Sequence, residues 1–447
     1  MLGEAGADVS NLERVKIPSH LVEQALSTTP KSISLYTRDG EIAFVLNGMT
    51  GSHFGGTVDC PDYLDPNTHQ SRSCYVEDIA DTSRLIDGLP NIEWLFTTGS
   101  FTTLPGAIAD KTAFLQVILN SSKPVGSSLN HVSSLREILQ VCSMIAGGDK
   151  ELRDKPFFIG SSDAISPLVL GKDCLEKDLL CAEKGIPNMI FSMPMAGATA
   201  AATLPAALVI ANAESLSQLV IAQLKNPGTP VIFGSVLTIM DMKTTIPSYG
   251  CPELSFLHAA LTEMSRYYKL PMLGTAGCTD ADVIGAQSGV EATYQILMTM
   301  FSGADLIHDV GMMYHAKMQS PELTVLVDEI ISMVKVSMSG FEINDETLPL
   351  NLIECVGPGG SYISESHTLK HFRRFWVPTL FDRSFAKHEG KKNCEQVLTE
   401  KTLKIMETHQ PKPLNEDLVK ELLAVEASWF KQLGLEHKYP PRPQRYK

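Results

Sequence analysis

Short apolar runs, each followed by a segment whose apolar positions recur at helical spacing, repeat along most of the chain. They begin near residues 92, 124, 156, 188, 230, 271, 304 and, least distinctly, 341. The first four starts are 32 residues apart and the later gaps are 42, 41, 33 and 37, which suits one strand, one helix and two short loops. Eight such units predict an α/β fold, a parallel (β/α)8 TIM barrel. A doubly wound sheet also alternates its elements, but no GxGxxG follows the first run, and eight is the number that closes a barrel.

Upstream the rhythm differs. SISLYT and EIAFVL flank a turn at Arg38-Asp39-Gly40 and read as a hairpin. A Gly, Asp and Pro-rich loop follows, and then VEDIADTSRLIDGL, with Ile79, Leu85 and Ile86 on one face and a stop at Gly88, reads as a helix. Residues 1–90 are therefore expected to form an α+β cap, 91–400 the barrel, and 401–447 a C-terminal helical extension with a Pro-rich basic tail. Such a tail is suited to wrapping a second subunit, so a homo-oligomer is expected.

Composition narrows the class. With 447 residues, 44% hydrophobic and 20% charged, the chain can bury a large core and is not a disordered protein. Its 37 basic and 51 acidic residues give a net charge of −14, which disfavours nucleic acid and anionic membrane as partners. Residues 185–213 carry no charge and exceed a bilayer span in length, yet Pro187, Pro194 and Pro205 divide them into a buried strand, a polar loop and a helix start. The nine cysteines are dispersed without CxxC or zinc spacing, and the N-terminus lacks an apolar signal core. A reducing compartment, the cytoplasm, is the expected location.

Chemistry is expected at the C-terminal ends of the strands, which read FTTGS, VGSS, IGSS, FSMP, FGS, GTAG and HDVG. Nearly all are small and uncharged. Ser100, Ser127, Ser161, Ser235, Thr275 and Gly277 would let a broad, flat ligand approach the backbone over an uncluttered mouth and would offer it neutral hydrogen bonds. The one ionisable constellation is GADLIHDVGMMYH, with His308, Asp309, Gly311, Tyr314 and His315. A histidine at this place can bind an anionic group or lie under a cofactor, and Asp309 can orient it. The spacing of His308, Asp309 and His315 matches no compact metal motif, so no metal is assigned. SMPMAGATAAATLPAA, residues 192–207, could floor a wide pocket, Met298 and Met300 read as core filling, and residues 354–374 gather Tyr362, His367 and His371 around GPGG. No GxxxxGK[ST], HExxH or GxSxG occurs, which removes the usual support for an NTPase, a zincin or a nucleophile-elbow hydrolase.

Several ordered segments, among them LPNIEWLFTTGS, LPAALVIANAESLSQLVIAQLKNPGTPVIFGS, LPMLGTAG, GADLIHDVG and ETLPLNLIECVGPGGSYI, resemble the trimethylamine methyltransferase family, the corrinoid-dependent amine methyltransferases. The resemblance spans nearly the whole chain. It implies a (β/α)8 barrel whose mouth receives a corrinoid (cobalamin-type) carried by a separate cognate corrinoid protein, with a methyl group passing from a methylated amine to Co(I). Members acting on trimethylamine carry pyrrolysine, which this chain lacks, and Gly311 is the position that best matches it. Members without pyrrolysine resemble the branch that demethylates quaternary amines, with glycine betaine foremost and proline betaine, carnitine and γ-butyrobetaine as alternatives. A betaine-sensing or corrinoid-protein-binding barrel without turnover is the reading of another class.

A quaternary nitrogen leaves as a neutral tertiary amine, so orientation rather than proton transfer is required. Aromatic faces suit the trimethylammonium group. Phe54, Tyr63, Phe96, Phe101, Tyr314 and Tyr362 are the candidates for that cage, with His308 and His315 beside it and His308 also receiving the carboxylate.

Overall fold

The computed structural model describes residues 1–48, 50–101, 103–383 and 391–442. Eight parallel strands form its centre: β1 (His53–Gly56), β2 (Ile92–Trp94), β3 (Val125–Gly126), β4 (Phe158–Ala164), β5 (Asn188–Ser192), β6 (Val231–Gly234), β7 (Met272–Thr275) and β8 (Leu306–Val310). Their order is β2-β1-β8-β7-β6-β5-β4-β3. A parallel bridge between Leu95 and Val125 joins the two ends of that order, so the sheet closes into the expected barrel.

Two of the sequence expectations need correction. The first strand is His53–Gly56, inside the segment assigned to the cap, and what was read as strand seven is β8. The eighth unit near residue 341 is not a strand, because residues 341–346 are exposed and hold no continuous apolar run. β1 escaped the periodicity because its sequence, HFGG, resembles a turn. The glycines are there for packing: a Cβ on Gly55 would overlap the Trp94 indole, and one on Gly56 would come within 2.7 Å of Ile86. With that space kept open, Trp94 Nε1 donates to the carbonyls of His53 (3.2 Å) and Ile307 (3.1 Å) and ties β2 across β1 to β8.

The hairpin is present as Ile33–Tyr36 paired antiparallel with Ile42–Leu46. Leu35, Phe44 and Leu46 are buried together with inner-barrel residues Trp94, Ile159, Met189, Ile232, Leu273 and Leu306. The hairpin thus plugs the barrel's N-terminal end, each such side chain contributing about 1.5–3 kcal/mol by leaving water. The helix predicted before β2 spans Val76–Asp87, with Ile79, Leu85 and Ile86 buried and Gly88 at its C-terminus.

The uncharged stretch divides as the prolines require, into β5, a short strand Met195–Ala196, a loop, and helix Leu204–Lys225 with Pro in its first turn. That helix is the one among the described residues long and apolar enough to span a bilayer. It is seated on the barrel by Ser215 Oγ, which donates to the Gly234 carbonyl at 2.7 Å. The extension holds helices Cys394–Thr408 and Glu416–Gln432, and Arg442 returns to pair with Asp78 at 3.0 Å. Residues 443–447 of the basic tail lie outside the described residues.

Two small sheets rise from the loops at the C-terminal face. One joins Met195–Ala196, Thr238–Asp241 and Ile246–Ser248. The other joins Asp62–Asp65, Gln70–Ser73, Met312–Met313 and Met318–Gln319. They stand at the same end, one on the loops after β5 and β6 and the other on the loops after β1 and β8, and His315 Nδ1, 3.1 Å from the Pro247 carbonyl, links them.

Candidate active site

β8 is irregular where its sequence is most polar. Its register against β1 shifts between Ile307 and Val310, and Asp309 has φ 76°, a left-handed conformation that costs a non-glycine residue about 1–2 kcal/mol. A bulge of this kind re-aims side chains, and both His308 and Asp309 are buried, at 2% and 1% exposure. Backbone strain at Asp309, beside a second buried ionisable group at a strand end, makes this place the candidate site.

His308 Nε2 lies 3.1 Å from Thr275 Oγ1 on the neighbouring β7. Its ring centroid is 6.0 Å from Phe96, just beyond β2, and 6.3 Å from Phe191 on β5. Nδ1 is 2.8 Å from Asp309 Oδ1, but off the line a hydrogen bond needs, so neither atom has a hydrogen-bond partner among the described residues. Two polar atoms left open in a buried site are available to a ligand.

Behind Thr275 sits His258. Its Nε2 accepts from the Leu237 N–H (3.3 Å), and its Nδ1 is 3.1 Å from the Thr275 carbonyl, which fits a neutral ring that donates to that carbonyl. Burial lowers its pKa to about 4. Because the folded state binds this proton more weakly than the unfolded chain does, the stabilisation is complete above pH 6.5 and disappears as pH falls towards 4. A His258→Gln variant is expected to lose less of its melting temperature between pH 6.5 and 4.5 than the parent, and equal losses in the two proteins would refute this assignment.

The mouth is not the uncluttered rim expected from the strand ends. Cys60, Val236, Tyr249, Leu254, Cys278 and Met312 form a buried apolar cluster against which Phe191, Cys251 and Ala316 pack. Most of these residues come from the segments that follow the strands, with Leu254 from helix Pro252–Tyr268 and Phe191 from β5, and they close over the strand ends, so the small residues read as a landing surface are covered. Ser127, Ser161, Ser235 and Thr275 are 1%, 4%, 1% and 1% exposed. Ser161 Oγ donates to the Ser127 carbonyl at 3.0 Å and Ser235 Oγ to the Ser192 carbonyl at 2.9 Å. Ser100, half-buried, donates to the Asp59 carbonyl at 3.1 Å. Gly277, with φ 79°, faces Val327 and Val310 rather than the mouth. The hydroxyls of Thr98, Ser127 and Ser192 are buried without hydrogen-bond partners.

Of the six candidate cage aromatics, only Phe96 joins His308. Phe54 and Phe101 are buried in the outer core, and Tyr63 lies under the Arg72 guanidinium at 4.5 Å. Tyr314 and Tyr362 are 44% and 42% exposed. His315 turns away to Asp280 Oδ1 (3.0 Å) and the Pro247 carbonyl (3.1 Å), so it does not converge with His308 and Asp309. Gly311, with φ 90°, leaves no room for a side chain of any kind: a Cβ there would overlap Thr324 Oγ1 and approach the Ser320 carbonyl to 3.1 Å.

Three site residues were missed. Phe191 was recoverable, since Met189 and Phe191 are both oriented to the inner core at the period of two that strands impose. Tyr249 had no local signal: it is placed by Asp280 Oδ1, which accepts its backbone N–H at 2.8 Å, and by Gln295, which donates to its carbonyl at 2.8 Å. Asp59 accepts from Thr97 Oγ1 at 3.2 Å, and desolvation raises its pKa to about 7. Burial first, and then the charges of Asp309 and Asp59, raise the pKa of the Cys60 thiol, and burial followed by the Asp309 charge does the same to Tyr249. The site therefore gathers carboxylates and aromatic faces, a combination that holds an organic cation.

Comparison with known proteins agrees with this architecture. The chain is 31% identical over 431 residues to trimethylamine methyltransferase MttB of Desulfitobacterium hafniense, covering 95% of this chain and 86% of that one. It is 28% identical over 436 residues to glycine betaine methyltransferase of another strain of that organism, covering 95% and 89%. The crystal structure of Methanosarcina barkeri monomethylamine methyltransferase superposes with a TM-score of 0.50 at 12% identity, over 94% of this chain and 81% of that one, and shares the fold. The profile of the trimethylamine methyltransferase (MTTB) family matches residues 1–428, so the chain belongs to that family of methyltransferases.

Proposed function

We propose that this methyltransferase takes a methyl group from a quaternary amine, a betaine with glycine betaine foremost, and delivers it to the Co(I) of a corrinoid held by a separate protein in the cytoplasm. The observation that carries this reading is the buried, strained His308–Asp309 pair beside the faces of Phe96 and Phe191. A carboxylate and aromatic rings bind a trimethylammonium group without donating a proton, and a departing tertiary amine needs none. The reduced corrinoid supplies the nucleophile. Asp309 would hold the onium charge, Phe96, Phe191 and Tyr249 would enclose its methyls and exclude water, and His308, fixed through Thr275, would present Nδ1 to the carboxylate of the substrate. The buried, unpartnered hydroxyls of Thr98, Ser127 and Ser192 are further donors suited to that carboxylate.

One observation favours a second reading, a methylated amine without a carboxylate. Neither His308 nor Asp309 has an arginine or lysine partner among the described residues, so the anionic end of a betaine meets only neutral donors and imidazole. Mixing the protein with Co(I) cobalamin and each donor decides between them through the appearance of methyl-Co(III) absorbance. Turnover with glycine betaine above trimethylamine is expected. Turnover with trimethylamine alone would select the second reading, and ligand binding without methyl transfer would select a sensor.

Within the first reading, Phe191→Ala removes one aromatic face worth about 0.5–2 kcal/mol. KM for the betaine should rise about 2- to 30-fold with a smaller change in kcat. An unaltered KM would take Phe191 out of the cage.

A further inference from the structure

The candidate site is shut. His308 and Asp309 are buried, and the cluster of Cys60, Val236, Tyr249, Leu254, Cys278 and Met312 lies over the strand ends. Any ligand that reaches the pair must pass a cover that opens.

One side of that cover is the hairpin of Thr238–Asp241 and Ile246–Ser248, which runs on into Tyr249. None of residues 239–248 is buried, so little apolar area holds the hairpin down, while Tyr249 enters the cluster. The hairpin is attached at its two edges. On one, Thr238 and Ile239 pair with Met195 and Ala196. On the other, it meets Asp280, from the loop after β7, and His315, from the loop after β8. Ser248 Oγ donates to Asp280 Oδ2 at 2.5 Å, and the Tyr249 N–H donates to Asp280 Oδ1 at 2.8 Å. His315 Nδ1 lies 3.0 Å from Asp280 Oδ1 and 3.1 Å from the Pro247 carbonyl, and with acceptors on both sides it carries the proton.

His315 is brought to this seam by a strained turn. Tyr314, His315 and Ala316 have φ of 50°, 56° and 66°. Left-handed backbone is ordinarily a single-residue event because Cβ crowds the carbonyl that follows, so three non-glycine residues in succession store strain. The turn is held by the Tyr314 N–H, which donates to the Ala281 carbonyl at 3.1 Å, and by the packing of Ala316 against the cluster. Strain of this kind persists only where the surroundings over-determine it, and it collects in clamps and switches.

We infer that the cover is a gate and that His315 is its latch: when His315 and Asp280 release residues 247–249, the hairpin swings away with Tyr249 and admits ligands to His308 and Asp309. The contacts at Asp280 and Pro247 oppose release, and the relaxing turn favours it. The inference rests on the placing of the site at His308 and Asp309, not on which amine is the donor.

Native thiols report the opening. Cys60 and Cys278 share the cluster with Tyr249, and Cys278 Sγ donates at 3.2 Å to Gln295, which also holds the Tyr249 carbonyl. Cys142 and Cys181 belong to the core between the barrel and its helices Val132–Ala146 and Lys172–Lys184. All four are buried and burial raises the pKa of each thiol, so each reacts only when its surroundings open.

The test is alkylation of the full chain by N-ethylmaleimide, followed at each cysteine by mass spectrometry with no amine present. In the parent, Cys60 and Cys278 should react about 10-fold or more faster than Cys142 and Cys181, because local opening is more frequent than unfolding. Equal rates at all four would mean that the cover opens only with the whole fold, and would overturn the inference. His315→Ala should speed Cys60 and Cys278 by about 10- to 100-fold, the effect of losing a hydrogen bond to a charged group, and leave Cys142 and Cys181 unchanged. No acceleration, or the same acceleration at all four, would overturn it too. His315→Asn keeps an N–H donor and tolerates left-handed backbone, so its rates should return towards those of the parent. An asparagine variant as reactive as the alanine variant would show that this hydrogen bond is not the latch.

Discussion

Asp309→Asn is expected to lower kcat/KM for a quaternary amine about 30- to 4,000-fold while leaving the barrel folded. The amide keeps the volume of the carboxylate, and asparagine is among the residues that best tolerate the left-handed conformation, φ 76°, that this position imposes. What disappears is the charge. Removing one member of a buried charge pair costs about 2–5 kcal/mol, and every 1.4 kcal/mol is a factor of ten. A structural role alone could also reduce turnover, so ligand choice is the sharper readout. The parent should bind a trimethylammonium compound far more tightly than its uncharged tert-butyl isostere, and Asp309→Asn should bring the two affinities together. An undiminished preference for the cation would show that Asp309 does not face it. His308→Ala should raise KM for a betaine more than for a substrate lacking the carboxylate, which separates the anion-binding role of the imidazole from the cation-binding role of its neighbour.

The barrel was legible because its evidence is repetitive. Seven of the eight strand positions follow from apolar runs at a steady spacing, and the hairpin and the Val76–Asp87 helix follow from local turn and stop signals. β1 was hidden because the space around Trp94 demands glycine where a strand would ordinarily show a branched side chain, and that demand comes from a residue about 40 positions away. The site divides in the same manner. His308, Asp309, Thr275 and Phe96 sit on or beside strands, where position in the repeat gives position in space. Tyr249 and the cover formed by Cys60, Val236, Cys278 and Met312 come from loops, whose paths are set by tertiary partners such as Asp280 and Gln295. Strand ends alone therefore suggested an open mouth. The start near residue 341 misled in the opposite direction, for Phe341 and Ile343, alternating with polar residues, read as a last strand when they lie on the surface.

Gly311 lies beside the candidate site but is turned away from it. It follows β8 directly, yet its missing side chain would point into the start of helix Pro321–Met338. There Ser320 donates its backbone N–H to the Gly311 carbonyl at 2.9 Å and caps the helix by accepting from the Leu323 N–H at 3.1 Å, while Thr324 Oγ1 donates to the Ser320 carbonyl at 2.9 Å. Gly311→Leu must both hold φ 90° and displace this cap. The backbone contributes about 1–2 kcal/mol and overpacking about 1–3 kcal/mol, so the loss is about 2–5 kcal/mol. With an unfolding entropy of about 2.1 cal/mol/K per residue, a chain of this length should melt about 2–5 °C lower. Removing Thr324's hydroxyl in Gly311→Leu/Thr324→Ala relieves the nearest overlap but not the backbone conformation, and the double variant should recover part of the loss. A leucine variant that melted with the parent yet had no methyl transfer would mean that its side chain turns into the mouth, and the assignment of Gly311 to helix packing would fail.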